Sequence, residues 1–163
     1  MDSGTESKSL RDSLPQILPA LRSYARALCR DRSAADDLVQ ETVLRALAAE
    51  AQWQPGSSLR AWLFTIQRNA WLAGMRRRGV ESRYMDQVAS NPVSLQPDHG
   101  AVRDLNAALL ALPASQREAL TLVGGQGMSL AEAAAVCGVP IGTIKARISR
   151  GRAALRRLVV GDE

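Results

Sequence analysis

The sequence predicts an all-α protein built as two small helical domains joined by a flexible linker. Three observations carry this reading. Apolar residues recur at helical three-and-four spacing in two long blocks. That periodicity fails from Gly79 to about Gly100, where Pro92, Pro97 and several small polar residues collect. The stretch SLAEAAAVCGVPIGTIKARISRGRAAL, Ser129 to Leu155, carries the stop and start signals of two helices meeting at a tight turn. The expected boundaries are 10–79 for the first domain, 80–100 for the linker and 101–160 for the second domain. A chain of 163 residues with 46% hydrophobic content can bury a core in each block.

In the first block, Leu14, Ile17, Leu18, Leu21, Tyr24, Ala25 and Leu28 trace one amphipathic helix, with Pro15 tolerable in its first turn. Arg30, Asp31 and Arg32 interrupt it. A second helix is expected from Ser33, capped with Asp36 three residues on. Its inner face is Ala35, Leu38, Val39, Thr42, Ala46 and Leu47, up to about Ala49. Asp37, Gln40, Glu41 and Leu44 are left outside. The stretch WQPGS, Trp53 to Ser57, reads as a loop, and Ser57 or Ser58 starts a third helix with the stripe Leu59, Trp62, Leu63, Ile66, Ala70 and Ala73. On its other side Phe64, Arg68, Trp71, Met75 and Arg78 mix large apolar groups with arginines, and Arg76 and Arg77 adjoin them.

In the second block, Val102, Leu105, Ala108, Leu109 and Leu112 give a helix stopped before Pro113. A further helix follows from Ser115 to about Val123, with Ala119, Leu120 and Val123 inside, and Gly124, Gly125 and Gly127 form a turn. Ser129 and Glu132 make a capping box, Gly138 suits the left-handed end of that short helix, and Pro140 suits the first turn of the next. Two helices crossing steeply need a small residue where they touch, supplied by Ala134, and a core-facing branched residue on the second helix, supplied by Ile144. Ile141, Ile144, Ile148, Leu155 and Leu158 keep one face of the last helix apolar; Lys145, Ser149, Arg152 and Arg156 lie on another, flanked by Arg147 and Arg150.

Several function classes fall away. The longest apolar runs do not approach the 18 or so residues of a membrane span, and the N-terminus lacks the layout of a secretory signal, so a cytoplasmic protein is expected. Cys29 and Cys137 are isolated and read as small buried thiols rather than a disulfide or zinc pair. His99, the only histidine, falls in the linker. No catalytic residue, metal or cofactor is therefore expected, and the chain is not read as an enzyme.

Charge points instead to nucleic acid. The formal net charge is only +5, but Leu59 to Val80 holds five Arg and no acid, and Val139 to Leu158 holds one Lys, five Arg and no acid. Solvated helix faces usually mix signs. Aromatics beside arginines suit a single strand, whose bases stack and whose phosphates attract cations. A cationic helix after a tight turn suits the major groove of a duplex.

The order DRSAADDLVQETVLRAL, SLRAWLFTIQRNAWLAGMRRRG, linker, LPASQREALTLVGGQGMSLAEAAAVCGVPIGTIKARISRGRAAL resembles a bacterial extracytoplasmic-function sigma factor from about Leu14 to Val160. RAWLFTIQRNAW, REALTLVGG and CGVPIGTIKARISRGRAAL are most similar to the EcfG group, which directs the general stress response. The resemblance implies a sigma region 2 and a sigma region 4. It implies that Asp36, Asp37, Gln40 and Glu41 dock on the clamp helices of the polymerase beta-prime subunit. It implies capture of the unpaired promoter −10 element by the loop Trp53 to Ser58 and by Arg60, Arg68, Asn69, Trp71, Arg76, Arg77 and Arg78. It further implies reading of the −35 element by Thr143, Lys145, Arg147, Ser149, Arg150 and Arg152. A small anti-sigma factor of the NepR type is the implied regulator, and the free protein is expected to be a monomer that does not engage membranes. Two alternatives stand beside this reading: a sigma-like mimic that sequesters an anti-sigma factor, and a stand-alone helix-turn-helix regulator. The chain departs from the family pattern at Ala73, where an aspartate is frequent, at Gln126, where a glutamate is common, and at Leu130, which replaces a frequent aromatic.

Overall fold

The computed structural model describes residues 9–54, 56–79 and 101–160, all of it helix and connecting turn. The stretch read as a linker, with His99, lies outside the described residues. Helix α1 spans Leu10–Leu28, α2 Arg32–Ala48 and α3 Leu59–Arg77. Then come α4 Ala101–Ala111, α5 Ala114–Leu120, α6 Leu130–Cys137 and α7 Ile141–Val160.

The first three helices enclose one core, lined by Leu14, Leu21, Leu28, Leu38, Val39, Leu63 and Ala70. Helix α1 begins at Leu10, earlier than the apolar pattern from Leu14 suggests. Ser9 caps it by accepting from the Asp12 N–H, and Leu10 is itself buried. Pro15 and Pro19 both lie inside the helix, on its exposed side. Helix α2 is capped by Asp31 and not by Ser33: the Asp31 carboxylate accepts from the Ser33 and Ala34 N–H groups at 3.3 and 3.2 Å. A charged acceptor on extended backbone one step before the first helical residue satisfies two orphan donors, leaving Ser33 inside the first turn. Ser58 caps α3, as expected, by accepting from the Ala61 N–H. Two buried polar groups are satisfied by main-chain carbonyls: the Thr42 hydroxyl donates to Leu38 within α2, and the Gln67 amide of α3 donates to Leu21 of α1 at 2.9 Å, tying the two helices together.

The second block has the expected punctuation. Ser129 accepts from the Glu132 N–H at 3.1 Å and its hydroxyl donates to the Glu132 carboxylate; Gly138 closes α6 at φ +65°. Ala134 and Ile144 are both buried where α6 and α7 meet. Two expectations need correction. Helix α5 ends at Leu120 and continues as a wide π turn, Thr121–Gly125, so Leu122 and not Leu120 or Val123 is the fully buried residue. The apolar face of α7 is shorter than its pattern: Ile144 and Ile148 are buried, while Ile141 and Leu158 are exposed because no described element covers the ends of that helix. Helix α7 instead passes α5 at Gly151, where an added Cβ would lie 2.8 Å from a Leu120 methyl carbon.

The sequence left the relation between the blocks open; here they share one core. Helix α1 packs against α5 and the π turn, and α3 packs against α6.

Candidate nucleic-acid interface

The basic face of α7 is available. Lys145, Ser149, Arg150 and Arg152 are exposed, and Thr143 and Arg147 half-buried. Thr143, Arg147 and Arg150 share a cleft of about 460 Å³ with Ser115, Gln116 and Gly142. The α6–α7 turn thus presents the front of α7 as a cationic rod, the shape that enters a major groove.

The basic segment of α3 is placed differently. Arg76, Arg77 and Arg78 at its C-terminal end are exposed, as is Asn69. Trp53 is half-buried with its indole N–H enclosed, and Ser58 is engaged as the α3 cap. Phe64 and Trp71 are buried, contrary to the expectation that they form a stacking surface. Phe64 packs on the Tyr24 ring, centroids 5.0 Å apart and planes tilted by 34°. The reason lies in the width of the buried stripe: α3 is covered on one side by α1 and α2 and on another by α6, so two faces are interior.

Arg60 and Arg68 face the second block. The Arg68 Nε donates to Glu118 Oε1 at 2.6 Å, and the Tyr24 hydroxyl donates to the same oxygen at 2.6 Å. Glu118 is 1% exposed, and its second oxygen has no donor among the described residues. Arg60 lies over the Phe64 ring, 5.5 Å from its centroid, and donates to both the main-chain oxygen and the side-chain Oε1 of Gln126. Arg117, also buried, donates to the Ala27 carbonyl of α1 at 2.5 Å and the Leu112 carbonyl at 3.1 Å.

The ionisation of this cluster follows from its burial. Desolvation, then the Glu118 charge, pushes the Tyr24 hydroxyl well above its ordinary value, so it stays a donor. Burial disfavours the charged form of Arg68, but the adjacent Glu118 outweighs this and holds the guanidinium above its usual basicity. Cys137, nearby, is pushed up to about 12, first by burial and then by the Glu118 charge, which makes it an inert thiol. Cys29 is half-buried and is also raised, chiefly by desolvation.

The acidic face of α2 turns to solvent. Asp36, Asp37 and Gln40 are exposed, Glu41 pairs with Arg45 at 2.8 Å, and Leu44 beside them is 68% exposed. Sequence reasoning missed a third basic surface. Arg22 and Arg26 on the outer side of α1 and Arg30 just past its end lie four residues apart and, with Arg32 and Arg117, line a cleft of about 560 Å³ against α4. The four-residue spacing was visible in the sequence, but attention to acid-free runs passes over a segment that contains Asp31. No cluster of His, Cys, Asp or Glu among the described residues could hold a metal ion. No described helix is long and apolar enough to cross a membrane.

Residues 14–67 match the family model described as the Sigma2 domain of PhyR, and residues 103–155 match the one described as Sigma-70, region 4. The ECF RNA polymerase sigma factor EcfG of Rhodopseudomonas palustris is 46% identical over 157 residues, covering 94% of this chain and 87% of the relative. The ECF RNA polymerase sigma factor SigC of Mycobacterium tuberculosis is 38% identical over 135 residues, 79% and 72% of the two chains. Among solved structures, the sigma factor RpoE in complex with the anti-sigma factor NepR from Bartonella quintana superposes with a TM-score of 0.78 at 42% identity, over 96% of this chain and 99% of that one. The PhyRSL–NepR complex from Sphingomonas sp. Fr1 shares the fold, with a TM-score of 0.67 at 24% identity over 91% and 88%.

Proposed function

The chain belongs to the extracytoplasmic-function sigma factors of RNA polymerase, and we propose that each of its exposed polar faces serves one step of promoter recognition. The acidic face of α2, with Asp36, Asp37, Gln40 and Glu41, docks on the clamp helices of the beta-prime subunit. The loop Trp53 to Ser58, together with Arg60, Arg68, Asn69, Trp71 and the Arg76 to Arg78 cluster, captures the unpaired −10 strand. Thr143, Lys145, Arg147, Ser149, Arg150 and Arg152 read the −35 duplex. The protein binds and captures; nucleotide chemistry belongs to the polymerase, and the protein works in the cytoplasm. The domain limits proposed for these tasks are 10–79 and 101–160. Trp71 is buried in the present arrangement, so its part requires the surface of α3 to be uncovered.

The observation that carries this reading is the α2 face. Three exposed polar groups and a 68% exposed leucine lie in one stripe with no intramolecular task, which is the composition of a docking surface. A relative was solved with NepR; the regulator proposed for this chain is an anti-sigma factor of that type, and the free chain is proposed to be a monomer. The Sigma2 domain of PhyR, matched over residues 14–67, favours the second reading, a mimic that sequesters such a regulator. Against it stands the exposed cationic face of α7, which a mimic does not need.

The test is transcription in vitro with purified core polymerase on fragments of the source genome, with start sites mapped. New starts sharing two upstream elements are the expected result. Asp37→Arg should abolish core binding with helicity unchanged. Silence from a core enzyme that is active with another sigma factor would move the assignment to the mimic.

A further inference from the structure

We propose that Glu118 is a latch that holds this sigma factor closed by occupying the arginine that must otherwise meet the −10 strand. The inference rests on the −10 role assigned above to Arg60 and Arg68. Three structural facts support it. Glu118 comes from the second block, yet both of its donors, Tyr24 and Arg68, come from the first, so its carboxylate is bonded only across the boundary. The group is almost fully buried and its ion pair with Arg68 is short, whereas the Arg68 side chain keeps only 14% of its surface. Arg60 is diverted in the same way: its guanidinium is bound to Gln126 of the second block.

A phosphate and a buried carboxylate are alternative partners for one guanidinium. While Glu118 holds Arg68, no phosphate reaches it; once a strand holds Arg68, Glu118 would be left buried beside an apolar wall, so the blocks must part. Closure and strand capture therefore exclude each other. The apparent affinity for the strand is the open-state affinity multiplied by the fraction of open molecules. Because a buried pair is little screened, added salt does not release the latch, and a competing polyanion or a partner that prefers the open form is needed. Tyr24 has a supporting part. Its hydroxyl fixes the carboxylate from the α1 side, and its ring, against Phe64, forms the wall on which Glu118 rests.

The experiment uses the full chain with Glu118→Gln and, separately, Tyr24→Phe. Tyr24→Phe changes the latch from the other block and touches none of the residues assigned to DNA. Small-angle X-ray scattering reads closure: a closed chain of this length has a radius of gyration of about 15 Å. Fluorescence anisotropy with a labelled oligothymidylate reads strand capture. Loss of one hydrogen bond to a buried charge is expected to raise the open fraction by about tenfold or more and to tighten oligothymidylate binding by the same factor, with an increased radius. If both variants stay compact and bind as the wild type does, there is no latch. If they expand without tighter binding, the competition is refuted. Should Glu118→Gln lose helicity by circular dichroism, Tyr24→Phe decides by the same criteria. A chain that fails to direct transcription but still expands in these variants would refute the promoter role and leave the conformational result standing.

Discussion

The two basic segments look alike in sequence and end in opposite situations. Both are acid-free and arginine-rich, and both lie on long helices. On α7 the cations stay at the surface, with Lys145, Arg150 and Arg152 exposed. On α3 the first two arginines are turned inward, Arg68 to Glu118 and Arg60 to Gln126, and only the arginines at its C-terminal end are exposed. An arginine's neighbours in sequence do not determine its partner. Glu118 lies fifty residues beyond Arg68 and converts a candidate DNA contact into an internal ion pair.

The largest test of this contrast is Glu118→Ala. It leaves Arg68 without a counter-charge and Tyr24 without an acceptor, and should lower the free energy of unfolding by about 3–5 kcal/mol in urea denaturation. Arg150→Ala, on the exposed segment, should change it by less than about 0.5 kcal/mol. Equal costs would erase the distinction. Next is Gly151→Ala, which asks whether the inner side of α7 is as tightly held as its outer side is free. The added methyl meets Leu120 at 2.8 Å and should cost about 1–3 kcal/mol in the same assay.

Lys145→Ala and Arg150→Ala should leave the fold unchanged and weaken binding to a −35 duplex. Each should reduce the slope of log affinity against log salt by about 1. A much smaller effect is expected from Gln126→Glu, which restores the family's usual residue opposite Arg60. The new ion pair should favour closure by about 1 kcal/mol or less, seen as weaker oligothymidylate binding. Last, pH should matter at the alkaline extreme. The Tyr24 hydroxyl is held above its ordinary value of 10.0, so its contribution is full below that value and falls as pH rises beyond it. Tyrosinate absorbance, compared with Tyr24→Phe, reads this directly.

Much of the fold was legible because local rules determine it. The capping box at Ser129 and the left-handed Gly138 depend on residues within one turn of each other, and both are present; Ala134 and Ile144, on the two helices of that turn, are both buried. The inner face of α2, from Ala35 to Ala46, was equally readable, since one helix face meets one core. Phe64 and Trp71 were misread because periodicity counts one apolar stripe, whereas α3 is covered on two sides. Arg117 and Glu118 were not singled out at all: a charged pair in a predicted helix reads as surface, and only the approach of α1 and α3 buries it. The π turn was hidden for a related reason, as its Gly-rich sequence suggests a simple loop.

The spacing between latch and catch has a consequence on the ribosome. The donors Tyr24 and Arg68 are synthesised first and the acceptor Glu118 only fifty residues after Arg68, which at normal elongation rates takes roughly 3–10 seconds. During that interval the nascent first block has its arginines uncommitted. Premature termination or proteolysis before residue 118 would release a fragment with no means of closing itself. On this proposal, restraint of the sigma factor is absent until translation has passed residue 118.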